Sequence, residues 1–149
     1  MNAHRAGLLA GVLAAAVLPG AQAQTKVYQG AEHDYVLYCS GCHSMDGSGH
    51  PGFGVPDFRG QVGYFLRLPE GRAYLMQVPG LLSTGLSEAR AAAVTNYVIQ
   101  TYAAESLPRE FLPYTAEEAQ RYRESRPADV AARRVQLYQQ LNGLGYALK

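Results

Sequence analysis

Tryptophan is absent from the 149-residue chain, cysteine occurs twice and methionine three times. Without Trp, the large aromatic rings must come from 11 Tyr and 4 Phe, so most of them carry a polar tip that needs a partner when buried. Two Cys cannot build the multi-bridge framework of a small secreted scaffold, nor a four-cysteine zinc site. Charge is sparse at 17% of residues and neither sign dominates, with 13 Lys and Arg against 12 Asp and Glu. That balance leaves no basic face of the kind that binds nucleic acid, and any docking surface must be local rather than a field of the whole molecule. No repeat, low-complexity tract or useful length of strand-like alternation is present. What remains is a globular composition, 48% hydrophobic, in a size suited to one small domain.

The long apolar run lies at the start. His4 and Arg5 precede an apolar, uncharged stretch from Ala6 to Leu18, then Pro19-Gly20 and the small-x-small triplet Ala21-Gln22-Ala23. This pattern predicts a secretory signal peptide over residues 1–23, with Gln24 as the mature N-terminus. The competing reading, an uncleaved membrane anchor, would need about 20 apolar residues to span a bilayer, more than this run supplies. No Cys stands at the cleavage site to carry a lipid, and no later stretch suits a span. The expected location is the periplasm, an oxidising space in which a free thiol pair tends to form a disulfide.

Beyond the leader the chain divides into residues 24–104 and a charged, Pro-punctuated tail over 105–149. A first helix is expected from about Gly30 to Cys39, with Tyr35, Val36 and Tyr38 on its apolar face. Residues 44–63 are too rich in Gly and Pro to sustain a helix. A short helix from Glu70 to about Gln77 should end at Pro79 and Gly80. A stronger one follows a Ser87 cap to about Tyr102, with Ala91, Val94, Tyr97 and Val98 at helical spacing. In the tail, Thr115 and Glu118 form the T-x-x-E capping box of a helix reaching about Arg126. Pro127 suits a first-turn position, so a last helix is expected over Ala128 to Leu141. The tail reads either as two amphipathic helices packed on the core or as a docking element for a partner. The fold class is all-α.

Cys39-Ser40-Gly41-Cys42-His43 is the C-x-x-C-H haem attachment pattern. Two thiols at this spacing at a helix end reach the two vinyl groups of one haem, and the next residue, His43, can supply an imidazole to the iron. Both thiols become thioethers, which removes the disulfide hazard of an exported protein. A zinc site would need two further ligands, for which His33 or His50 would have to serve. A thioredoxin-like pair calls for a βαβ context. A structural disulfide would leave the adjacent His without a purpose. Motif, export signal and helical context agree on haem c, one per chain and covalently held.

Over roughly residues 28–103 the chain resembles the class I, mitochondrial-type monohaem cytochromes c, in the form of a small bacterial periplasmic member with a C-terminal helical extension. Ala31 and Tyr35 stand where that family has a Gly and a Phe on its first helix, and Tyr97 matches the aromatic of the last core helix. Val55-Pro56-Asp57-Phe58-Arg59-Gly60 stands where the family has G-P-x-L-x-G, with Val55 in place of the Gly. The resemblance implies that the Pro56 carbonyl accepts a hydrogen bond from His43, fixing its orientation, and that Phe58 lines the haem pocket. It also implies a Met sixth ligand before the last core helix, and Met76 lies in that stretch. His50, His33 and an open sixth position are the alternatives, and core filling is the ordinary role of a Met. Met45 is too close to His43 to reach the opposite face. Arg59, Arg67 and Arg72 are candidate propionate partners.

The function these features imply is single-electron transfer between redox proteins in the periplasm. A periplasmic dehydrogenase is the expected donor, and a cytochrome or oxidase the expected acceptor. No catalytic residue, nucleic-acid partner or membrane span after leader cleavage is expected. The alternative is an open-site haem protein that binds or senses a small gas, or acts on peroxide. The absence of an evident distal acid–base pair speaks against peroxidase chemistry.

Overall fold

The computed structural model describes residues 27–146 and 148. The leader over residues 1–23 and the expected mature terminus Gln24 lie outside the described residues. Among the described residues the secondary structure is helical, with no strand and one isolated bridge between His50 and Val55.

Helix α1 spans Gly30–Tyr38 and breaks at Cys39, whose backbone (φ −117°, ψ −39°) turns the chain into the short helix α2, Ser40–His43. Ser44 then ends α2 at φ +61°, a rare conformation for a non-glycine residue. The fully buried Tyr35 holds it there, its hydroxyl donating to the Ser44 carbonyl at 2.6 Å. The helix that carries the motif is thus bent at the motif itself.

Only Tyr35 of the three expected apolar residues is fully buried on α1, while Tyr38 is exposed. Its buried neighbour is Asp34, a carboxylate the hydropathy pattern would place outside. Helix α5, Glu88–Tyr102, explains it: the Arg90 guanidinium bonds both Asp34 oxygens, at 2.5 and 3.1 Å, across the α1–α5 crossing. Tyr35 meets the rings of Tyr97 and Tyr102 at 5.6 and 5.4 Å, so aromatic packing and an ion pair close one crossing together. Helix α5 begins where expected, with Ser87 accepting from the Arg90 N–H.

Between these helices the chain makes a loop pinched at its base by two hydrogen bonds between His50 and Val55, at 3.0 and 3.2 Å. A 3-10 turn, Pro51–Phe53, forms its tip. A longer 3-10 segment, Val62–Arg67, runs into α3, Pro69–Leu75. Gly71 lets α3 lie on that segment, since a Cβ there would meet the Phe65 backbone. Pro79 does not merely end a helix, as expected, but opens another: α4, Pro79–Leu82, with the proline in its first turn, where its fixed φ and missing N–H cost nothing.

The tail lies on the core. Helix α6, Ala116–Glu124, starts at its Thr115 cap and packs along α5. The Glu118 side chain takes two 2.7 Å hydrogen bonds from Arg72 of α3. Helix α7, Val130–Gly143, begins two residues later than expected, because the Asp129 carboxylate accepts from Ala132 N–H at 2.8 Å and takes the cap. Pro127 therefore precedes the helix instead of sitting in its first turn. Val130, Leu137 and Leu141 of α7 are buried against Phe65 and Tyr74, forming a second core cluster beside the main one on α5.

Candidate functional site

A cavity of about 680 Å³ opens within the fold, inside the ~300–1,000 Å³ range of small-molecule sites. Cys39, Cys42 and His43 lie on its wall, as do Pro56 and Phe58 of the following loop. Val94, Val98 and Ile99 of α5 form an apolar wall, and Leu75, Val78 and Leu81 extend it from the α3–α4 region. The tail supplies the rest: Val130, Arg134, Val135 and Tyr138 of α7 also line it.

The His43 ring is held from two sides. Its Nδ1 lies 3.2 Å from the Pro56 carbonyl oxygen. A carbonyl can only accept, so Nδ1 carries the proton and Nε2 keeps its lone pair for a metal. The Phe58 ring stacks on the imidazole at 3.9 Å between centroids, 17° from parallel. Gly49, at φ +61°, makes room for this arrangement, because a Cβ there would collide with the Pro56 carbonyl. Burial lowers the imidazole's proton affinity, and Arg134 and His50 push the same way, against the hydrogen bond to Pro56. The neutral ring is the form that binds iron.

Burial, with the nearby Asp34 and Cys42, pushes the Cys39 thiol up to about 11. It is therefore a protonated thiol at neutral pH. Among the described residues no group of three His, Cys, Asp or Glu is placed to hold a metal ion. Tyr74, on the cavity wall, is likewise kept a neutral phenol by burial, its pKa raised to about 12.

Met76 is in a different place. It is the C-terminal cap of α3, 0% exposed, packed in the main core cluster, and not one of the residues lining the cavity. His50 is exposed at the base of the pinched loop, and His33 is exposed beside Asp34. Neither lines the cavity.

The three arginines singled out in the sequence are engaged elsewhere. Arg59 bonds Asp57 and Asp46, Arg72 grips Glu118, and Arg67 stands over the Tyr146 ring at 4.8 Å. The cavity's guanidinium is instead Arg134, held by the Gly54 carbonyl at 3.1 Å and the Tyr138 hydroxyl at 3.2 Å. Sequence reasoning missed it because nothing local marks a tail arginine as facing a loop 80 positions away. Its helical register with Val130 and Tyr138 was the one available signal.

The donor set suits a haem: two thiols, one oriented neutral imidazole, an apolar enclosure and one guanidinium for a carboxylate. An all-helical chain with C-x-x-C-H opening on such a cavity has the design of a c-type cytochrome.

No protein-family model matches the chain. Individual proteins do. A cytochrome c-552 of Thermus thermophilus is 31% identical over 150 aligned positions, covering 87% of this chain and 93% of the relative. A second cytochrome c-552 of the same species is 30% identical over 119 positions, covering 66% of this chain and 90% of the relative. The chain belongs to the cytochrome c family.

Proposed function

We propose that this protein is a periplasmic electron carrier of the class I type, holding one haem c through thioethers at Cys39 and Cys42 with His43 as axial ligand. The observation that carries the reading is the position of His43 on the cavity wall beside both thiols, its Nδ1 facing the Pro56 carbonyl. The family membership supports the carrier role, and the leader pattern of residues 1–23 supports export.

Bound haem supplies a one-electron iron couple. Cys39 and Cys42 would hold the group, each thiol adding its S–H across a vinyl substituent with no net oxidation. The chain's residues do the rest. Pro56 and Phe58 fix the His43 ring, so that little reorganises when the charge on the iron changes. The walls from α5 and α7 exclude water. Arg134, on the cavity wall, would offer a charge-assisted hydrogen bond to a carboxylate of the group. The expected partners are redox proteins, with a periplasmic dehydrogenase as donor and a cytochrome or oxidase as acceptor.

The exported protein, co-expressed with haem maturation factors, should carry one covalent haem by intact mass, with a reversible one-electron couple. The double variant Cys39→Ser/Cys42→Ser should lose the covalent mass increment. Unmodified apoprotein, under conditions that mature a control cytochrome, would refute the reading.

The same geometry favours the open-site alternative at one point. Met76, the sequence's candidate for the sixth ligand, is fully buried and is not among the residues that line the cavity.

A further inference from the structure

Resting on the haem assignment above, we infer that the iron is open on the side opposite His43 and takes a small neutral diatomic ligand, with Met76 serving as a packing residue.

Four observations carry this. First, Met76 is 0% exposed and sits in the main core cluster, its backbone N–H bonded to the Ala73 carbonyl as the cap of α3. Val62, Leu81, Val94, Val98 and Ile99 of the same cluster line the cavity, and Met76 is not among the lining residues. A buried Met that vacates its site leaves a destabilising void, and ligation would have to overcome that cost first.

Second, the chain between α3 and α5 offers no replacement. Residues 77–87 read Gln-Val-Pro-Gly-Leu-Leu-Ser-Thr-Gly-Leu-Ser, without Met, His, Lys or Cys. Val78, Pro79, Gly80 and Leu81 of this stretch line the cavity and are wholly apolar.

Third, His43 is the one imidazole on the cavity wall among the described residues, and no thioether or amine joins it. The remaining polar side chains there are phenols, Gln61, Thr95, Asp57 and Arg134. Arg134 is a cation and cannot ligate iron.

Fourth, the enclosure selects the ligand class. Val78, Leu81, Val94, Val98 and Ile99 make that part of the wall apolar, where a neutral ligand gives up no charge solvation on entering. Carbon monoxide is the natural probe of the reduced protein.

The experiment uses the mature holoprotein, its covalent haem verified by intact mass. Carbon monoxide is mixed with the ferrous form, and the association rate is followed against gas concentration by the shift of the Soret band. The same is done for Met76→Leu, a volume-conserving swap that the core should tolerate.

The expected result is a rate that rises linearly with carbon monoxide and does not saturate, because no protein ligand must leave first. Met76→Leu should give the same ferric and ferrous spectra and the same rate. Removing a genuine internal ligand would instead raise the rate roughly tenfold or more, by freeing the position it occupied.

A near-infrared methionine band in the ferric wild type that vanishes in Met76→Leu would overturn the inference. So would a six-coordinate ferrous spectrum that resists carbon monoxide in both proteins. Loss of covalent haem in the mass measurement would overturn the haem assignment itself, and is read separately from either spectrum.

Discussion

Asp34 shows how much one buried charge can organise. Its carboxylate is held by Arg90 across the α1–α5 crossing, and that hydrogen bonding keeps its pKa below the ordinary value of 3.8. Stability from this pair is fully present above the ordinary carboxylate range and is lost as pH falls through the lowered folded value. Asp34→Asn should therefore be less stable than wild type at pH 7, by about 1–2 kcal/mol because Arg90 keeps access to water. The gap between the two proteins should narrow in acid below about pH 4. Urea unfolding at pH 7 and at pH 3 measures both, and a gap independent of pH would contradict the pairing. Gly49 acts at the same scale by a steric route. Gly49→Ala combines a positive φ with a collision at the Pro56 carbonyl, and should cost about 1–3 kcal/mol. It should also displace the hydrogen bond to His43, which a changed reduction potential would reveal.

At the scale of elements, α7 belongs to the site although it lies far from the motif in sequence. Val130, Leu137 and Leu141 are buried against Phe65 and Tyr74, while Arg134 and Tyr138 face the cavity. Leu137 is 0% exposed, so Leu137→Ala should destabilise the protein by about 3 kcal/mol through the void it leaves. Thermal unfolding of the holoprotein would measure that. A chain ending at residue 104 would lose α6 from the face of α5 and α7 from the cavity wall. It should bind a hydrophobic dye that the full chain excludes, whereas a truncated holoprotein as stable and as dye-free as the full chain would argue for a detachable tail. The elements differ in how visible they are beforehand. Helix α5 is legible because Ser87 caps it and apolar residues recur on one face. Helix α7 is legible as a helix, but its start is not: Pro127 and Asp129 both suit an N-terminus, and the cap that forms is the one whose carboxylate reaches Ala132.

For the whole molecule, charge is nearly balanced. Removal of residues 1–23, as the leader pattern predicts, would take away Arg5 and leave 13 − 1 = 12 basic residues against 12 acidic ones. Long-range steering of a redox partner should therefore be weak, and the rate with a small protein partner should change less than about threefold between low and physiological salt. Stopped-flow kinetics across that range would test it, and a steep dependence would point to a concentrated charged patch. Local contacts are then left to set docking. Phe53, at the tip of the pinched loop, is 92% exposed, and the Arg134 bond to the Gly54 carbonyl ties that loop to the cavity wall.

The C-x-x-C-H motif, the helical class and the caps at Ser87 and Thr115 could be determined from sequence alone, because each depends on residues within about a turn of one another. Which buried side chain faces the cavity could not. Met76 stands where the resemblance implies a sixth ligand, and only the packed structure shows it fully buried and absent from the cavity wall. Arg134 and Asp34 carry no local mark, and their partners lie 80 and 56 positions away. Hydrogen-bonding habits of neighbours are written in the chain, whereas burial is decided by which distant elements close over a residue. The tertiary structure alone made that choice at this site.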